Sequence, residues 1–274
     1  MGFLAVIIMN NIDIFVFSQG VPKVYPKSDE YKLVSVGEIE EPCEIQKIDV
    51  GKYDDPLLKM EHAYSEGARI HALWKNYPLK KYVGTAHYRR YFDFFDKVPD
   101  MDIIFSTHDA IYQSFDIGWP SIRDNYAGCH NIDDLNLCVE IIKEKWPDYA
   151  GAADYVMGSK YFVPCNIFVL TREMFCKWCE FVFGVLDEYN ERMGFKTDLD
   201  VCNHVVNNMD RYVEGKGGPP NSNTSYQSRI HAFLMERISS IFFRQSIKNP
   251  YYSNILLTET HFDFEKTYFY QYEK

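Results

Sequence analysis

Residues 80–96 read KKYVGTAHYRRYFDFFD. Tyr82-Val83-Gly84-Thr85-Ala86 has the apolar, partly β-branched character of a buried strand, and His87-Tyr88-Arg89-Arg90-Tyr91 follows at once. In open α/β sheets ligands bind where strands end at their carboxyl edge. The stretch therefore delivers a histidine, two arginines and aromatic rings to a place of binding. Arginine suits phosphate because its planar fork makes two charge-assisted hydrogen bonds, and His or Tyr adds a donor or a stacking surface. A bland reading stands beside this one, in which the arginines pair with Asp93, Asp96 or other surface acids.

The surrounding charge sharpens the choice. The 274 residues carry a net charge of -10, which argues against nucleic-acid binding, where a basic surface must displace counterions. An RNA-binding module using Arg89, Arg90 and aromatic stacking is disfavoured on the same ground. Any anion held by this chain must meet a local cluster of positive charge. The hydrophobic content of 46% is enough for one large domain.

The seven cysteines (43, 129, 138, 165, 176, 179 and 202) are odd in number and irregularly spaced, as in a reducing compartment. Cys176 and Cys179 form a CxxC, but within a helical pattern and without a second pair. Residues 3–9 are apolar yet far short of the roughly 20 needed to cross a bilayer, and lack a basic leader or cleavage site. The expectation is a cytoplasmic protein with no transmembrane segment, in which Asn223-Thr224-Ser225 matches a glycosylation acceptor by chance.

Working outward, residues 3–9 and 12–18 read as strands, followed by a polar, Pro-rich region to Pro56. Apolar residues from Met60 to Trp74 fall at helical spacing within 57–76, with Glu66 and Arg69 on the other face, and Pro78 ends that helix. The run Ile103-Ile104-Phe105 reads as a strand. Asn131 caps a helix carrying Leu135, Cys138, Ile141 and Ile142. Residues 161–171 read as a buried strand interrupted by Asn166, and Met174 to Leu186 as a helix with one apolar stripe. Residues 214–225 are Gly- and Pro-rich and read as a mobile loop, after which Tyr226 opens a last helix. Strands alternating with helices imply an α/β fold with a mostly parallel sheet. The expected domain is 1–248, with 249–274 an unplaced tail.

Several residues outside the opening stretch are candidates for the site. Asn166 is polar in an apolar strand, where a buried amide needs a partner. His130 precedes a helix, flanking it on the surface or entering the site. Arg229 and Glu236 lie two turns apart on one face of the last helix, as a solvated pair or aimed at a cleft. The pairs Asp100/Asp102 and Asp198/Asp200 have a metal-binding form. Asp100 and Asp102 precede their strand, at the edge of the sheet away from the ligand, and Asp198 and Asp200 read as a helix cap. No metal is required by the sequence.

HALWKN (71–76) and KYVGTAHYRRYFDFF (81–95) resemble the signature of a bacterial capsular-polysaccharide glycosyltransferase-like family, long known as a domain of unknown function. The likeness runs on through Tyr126 and His130, through 139–175 and through SYQSRIHAFLMERI (225–238). It implies a nucleotide-sugar-dependent glycosyltransferase of GT-A-like fold, with a hexosyl donor of the galactose type, UDP-linked. By position it implies family roles for Glu66, His87, Arg89, Arg90, Tyr126, His130, Asn166, Tyr226, Gln227, Arg229 and Glu236. The chain departs from the family before Glu66, where Leu58 to Tyr64 replaces a Ser-x-x-Asn-Pro-Tyr segment, and after the first strand, where Phe17-Ser18-Gln19-Gly20 replaces a His-Lys ending.

The reading taken forward is a single-domain, GT-A-like, Rossmann-like α/β glycosyltransferase. Glu66, His87, Tyr88, Arg89 and Arg90 would bind the donor. Tyr126, His130, Asn166, Tyr226, Gln227 and Arg229 would meet the sugar or acceptor. Glu236 would serve as the catalytic base, with Asp154 as the next choice, His87 would sit near the leaving group, and inversion is slightly favoured over retention. The acceptor would be a glycan or lipid-linked glycan, with peripheral membrane contact, and no cofactor is required. The rival reading is a non-catalytic nucleotide- or glycan-binding protein on the same fold.

Overall fold

Two periodicities organise the chain, and they set the layers of the fold. The structure, a computed structural model, describes residues 11–94, 97–217, 223–257 and 268–269. The expected strand at 3–9, the side chain of Asp96 and part of the expected loop at 214–225 lie outside the described residues.

Strands β1 (Ile12–Phe17), β2 (Tyr31–Ser35) and β3 (Gln46–Asp49) precede α1 (Glu61–Tyr64), α2 (Glu66–Asn76), β4 (Tyr82–His87) and β5 (Arg90–Phe92). Then come α3 (Met101–Ile104), β6 (Ala110–Tyr112), β7 (Phe115–Asp116), α4 (Ile122–Cys129), α5 (Ile132–Lys145) and α6 (Ala150–Gly158). Strands β8 (Tyr161–Phe162) and β9 (Phe168–Thr171) lead to α7 (Arg172–Met193), α8 (Asp198–Asn207) and α9 (Met209–Tyr212). Helices α10 (Thr224–Gln227) and α11 (Ile230–Ser246) and strands β10 (Pro250–Tyr252), β11 (Ile255–Leu257) and β12 (Tyr268–Phe269) follow.

The main sheet runs β10-β6-β9-β4-β1-β2-β3. Its pairs are parallel except where β9 lies antiparallel between β4 and β6. The chain places β2 and β3 on one side of β1 and then returns to the other side with β4. The order therefore reverses between β1 and β4, which defines the switch point where such sheets open a crevice. Close pairing of these two central strands uses Gly84 opposite Ile14. A Cβ on Gly84 would meet Ile14 Cγ1 at 2.9 Å.

Alternation along the strands sends Phe15, Phe17, Val83, Phe168 and Leu170 to a core shared with the apolar stripes of α2, α5, α7 and α11. The opposite set, Ile14, Val16, Tyr82, Ala86 and Val169, packs under Tyr91, Phe92 and Met101. The large helical layer thus covers one face, and short segments cover the other.

Four expectations need correction. The polar region before Pro56 contains β2 and β3. Strand β2 is only five residues long but wholly buried, and its Lys32 escapes isolation because its ammonium reaches the Asp29 carbonyl. The run at 103–105 belongs to the turn of α3, where the Asp100 side chain accepts from Asp102 N–H and Ile103 is 70% exposed. An apolar triplet without a partner surface did not make a strand. The helix expected over 57–76 is a 3₁₀ turn and two helices broken at Ser65, whose φ is 51°. The boundary at 248 cuts the sheet, because β10 pairs with β6 and β11 with β5. Among the described residues no helix is long and apolar enough to cross a membrane.

Candidate active site

The carboxyl ends of β1 and β4 open into a cavity of about 480 Å³. Phe17, Ser18 and Gln19 continue β1 into its wall, and His87 and Tyr88 end β4 there. Glu61, Ser65, Glu66 and Arg69 come from α1 and α2, Asp198 opens α8, and Arg229 precedes α11. The cavity lies at the reversal of strand order, where this topology places ligands.

Two helix starts at the cavity have no side-chain cap. Neither Ser65 at α2 nor Arg229 at α11 caps its helix with a side-chain hydrogen bond. First-turn N–H groups without intrahelical partners, with the dipole behind them, favour an anion. Arg229 Nε donates to Ser65 Oγ at 2.8 Å and so ties the two starts together. Asp198 accepts from the N–H groups of His62 (3.0 Å) and Ala63 (2.9 Å), which caps α1. Arg69 Nε donates to Glu61 Oε1 at 3.0 Å and its Nη1 to the Ser18 carbonyl at 3.0 Å, bracing the β1 end.

A two-residue turn, Tyr88-Arg89, reverses β4 into β5, with His87 opposite Arg90. The Arg89 backbone N–H donates to His87 Nδ1 at 3.3 Å. Burial first, then the charges of Arg90, Arg89 and Arg229, push the imidazole down to about 3. The ring is therefore neutral at physiological pH. With Nδ1 accepting, its proton is on Nε2, which makes His87 a donor. Arg89, Arg90 and Arg229 form no ion pair with a carboxylate among the described residues. Arg89 Nε is buried without a hydrogen-bond partner among them. Asp93 instead accepts from Ser253 Oγ. In a chain of net charge -10, three guanidinium groups without carboxylate partners around one neutral histidine have the charge and the donors that an anion needs.

Glu66 faces this cluster. Its carboxyl is pushed up, by burial before all else and also by the charge of Glu236, against the pull of its own backbone N–H, then of Arg229 and of Asn166. Asn166 is buried, with Nδ2 donating to Glu66 Oε1 at 3.2 Å.

Other expected site residues fall elsewhere. Glu236 is not on the cavity wall: Oε1 accepts from Cys165 N–H at 2.8 Å and Oε2 pairs with Arg237 at 2.7 Å. Both oxygens are thus engaged in structural contacts, away from the cavity where an acceptor would have to meet them. Asp154 is exposed on α6 and pairs with Lys143 at 2.6 Å. Tyr126, His130 and Gln227 are buried. His130 Nδ1 meets Gln227 Oε1 at 3.0 Å, Gln227 Nε2 donates to the Cys129 carbonyl at 2.8 Å, and the His130 ring stacks on Phe233 at 4.0 Å. These three hold α4 to α10 and α11 and do not line the cavity. Tyr226 is half-buried, 5.9 Å from the Arg229 guanidinium and 5.0 Å from Phe233.

Glu61, Arg69 and Asp198 were not anticipated at the site. Asp198 left a signal, as an acid beside Asp200 that the capping box of α8 does not use, and Ser18 and Gln19 left one as the departure at the end of the first strand. Asp100 and Asp102 lie at the other end of β4, where Asp102 accepts from Tyr82 Oη at 2.6 Å. Among the described residues no group of three or more His, Cys, Asp or Glu side chains is arranged to hold a metal ion.

The profile of the family described as "Domain of unknown function (DUF4422)" matches residues 17–209. The chain belongs to this family. The DUF4422 match begins at the end of β1 and ends in α9, and so takes in the Glu66 and His87 sides of the cavity. No curated protein sequence matches the chain. Among solved structures, the chain is similar to the apo form of the WbbM bifunctional glycosyltransferase, with a TM-score of 0.67 and 18% identity, over 92% of this chain. It spans 46% of that protein. A more distant match is core-mannan synthase A from Aspergillus fumigatus with manganese and GDP, at a TM-score of 0.35 and 10% identity over 90% of this chain and 74% of that one. The DUF4422 chain thus has the GT-A-like α/β fold expected, with a mostly parallel sheet and flanking helices.

Proposed function

We propose that this DUF4422 protein is a glycosyltransferase that moves a galactose-type hexose from a UDP-linked donor to a glycan or lipid-linked glycan. The observation that carries the reading is the clustering of Arg89, Arg90 and Arg229, unpaired with acids among the described residues, around His87, which with Arg229 lines a cavity at the switch point. The similarity in fold to WbbM, described as a bifunctional glycosyltransferase, supports it.

In this reading the arginines and the His87 Nε2–H receive the donor diphosphate. Fixed cations at the end of β4 offset the charge that grows on the leaving group, with no bound metal required for that step. The acceptor hydroxyl oxygen attacks the anomeric carbon as the bond from that carbon to the phosphate oxygen breaks. The hydroxyl proton passes to a carboxylate, and the nucleoside diphosphate leaves with the bonding electrons. Of the three carboxylates on the cavity wall, Glu61 holds Arg69 and Asp198 caps α1, which leaves Glu66, whose proton affinity burial raises toward that of a useful base. Direct displacement inverts the anomeric centre.

The test is release of UDP from UDP-galactose, measured with and without a glycan acceptor. Acceptor-dependent release, with the sugar found on the acceptor in inverted configuration, is the expected outcome. Tight nucleotide binding with no release under any acceptor would instead make the protein a non-catalytic binder.

A further inference from the structure

A line of hydrogen bonds runs from the core to Glu66. Trp178 Nε1 donates to Ser239 Oγ at 3.1 Å, Ser239 Oγ donates to Asn166 Oδ1 at 2.9 Å, and Asn166 Nδ2 donates to Glu66 Oε1 at 3.2 Å. Trp178, Ser239 and Asn166 are all buried, and no other side chain among the described residues hydrogen-bonds Glu66.

The direction of this line is fixed by chemistry. An indole N–H can only donate, so Ser239 must accept at that contact and has its own proton to give onward. That proton goes to Asn166 Oδ1, which turns the amide so that its NH₂ faces the carboxylate. The reversed amide would set Oδ1 against an ionised Glu66, acceptor against acceptor, with no hydrogen between them. The backbone cannot relax the arrangement. Asn166 has φ 49° and Cys165 φ 56°, both held from outside: the Thr85 hydroxyl donates to the Asn166 carbonyl, and Glu236 accepts from Cys165 N–H.

We propose that Asn166, with its amide oriented by Ser239 and Trp178, is the positioning residue that keeps Glu66 an ionised acceptor at the cavity wall. The proposal rests on the reading of Glu66 as the base, and it deepens that reading by naming the side chain that opposes burial in holding the base ionised. A buried carboxylate that loses its one side-chain donor favours the neutral form. Ser239→Ala frees the amide to turn, so the pH at which Glu66 ionises should rise.

The experiment is a ¹³C NMR titration of the Glu66 side-chain carboxyl in the full chain, assigned by its disappearance in Glu66→Gln. Ser239→Ala should move the titration to higher pH, and Ser239→Thr, which keeps the hydroxyl, should return it toward the starting value. Because Ser239 is also part of the core, Asn166→Gly serves as a second variant. Glycine accepts a positive φ and removes the amide altogether. An unchanged Glu66 titration in a folded Ser239→Ala or Asn166→Gly protein overturns the proposal. Turnover of UDP-galactose should fall about tenfold at the acid end of the profile and recover at high pH. A loss equal at all pH values would show a structural role only. The underlying reading fails separately, if folded Glu66→Gln turns over at the unaltered rate.

Discussion

The backbone N–H of Cys165 donates to Glu236 Oε1 at 2.8 Å, and Cys165 holds a left-handed φ of 56°. A charged side chain from α11 therefore fastens the tight turn that presents Asn166. Glu236→Ala removes this acceptor and also leaves Arg237 without its carboxylate, 2.7 Å away. The expected loss of stability is about 2–3 kcal/mol, read from denaturant melts, for breaking a charge-assisted, partly buried contact. Turnover per folded molecule should change far less than in Glu66→Gln, for which about 10²–10⁴-fold slower transfer at unchanged donor affinity is expected.

Arg89→Ala and Arg90→Ala should each weaken UDP binding by about 2–5 kcal/mol, measured by titration calorimetry. Arg89→Lys should recover only part of that energy. An ammonium offers a point charge where the guanidinium offers a planar fork, and it cannot reproduce the buried Nε donor. Unchanged affinity in both alanine variants would move the anion site away from the β4–β5 turn.

Transfer should survive chelation by EDTA at least in part, since guanidinium groups and His87 supply the positive field at the end of β4. Assays with EDTA, and with manganese added back, decide this. Complete loss restored by manganese would overturn it and direct attention to Asp198, which lines the cavity.

Acid should unfold the protein in two stages. His130 and His231 are buried and pushed down to about 3, and His87 is likewise pushed down to about 3. Below the ordinary histidine pKa of about 6.5 the unfolded chain takes up protons that the folded one refuses, so each costs about 1.4 kcal/mol of stability per pH unit. Buried Asp134 opposes them. Its carboxyl is raised to about 7, so from there down toward the ordinary aspartate range the folded form holds a proton that the unfolded form lacks. Hence stability should fall with a shallow slope from pH 6 to about 4 and more steeply below. Asp134→Asn keeps an oxygen for the hydroxyls of Tyr189 and Tyr212 while removing the opposing group. It should steepen the upper stage, as urea melts at several pH values would reveal.

The β4–β5 turn stood out in the sequence because its residues break a local pattern, an apolar strand that ends at once in His and two Arg. The position of Glu236 was not legible, for the converse reason. Glu236 and Arg229 share a helical face by spacing, but spacing does not reveal that Cys165, 71 residues away, takes one of the Glu236 oxygens. Tyr126, His130 and Gln227 were selected as polar residues in a shared motif, and such a motif does not separate residues that touch a ligand from those that hold the wall. Strand β2 escaped notice because five residues between turns have too few alternations to stand out. Long-range contacts are set by the completed fold, and only the local half of the site is written locally.

The pairing of β11 with β5 has a practical meaning for anyone reshaping this protein. In the β4–β5 hairpin only His87 and Arg90 are register partners, whereas Ile255, Leu256 and Leu257 line up with Phe92, Tyr91 and Arg90. A chain cut after residue 248 would strip that support from the arginine turn and also remove β10, leaving β6 as a bare edge open to another molecule. Shortened versions should therefore aggregate and lose nucleotide affinity together, although every arginine would still be present. Residues 250–257 work as a clasp, and a tag or immobilising linker attached after them would pull directly on the strand that carries Arg90.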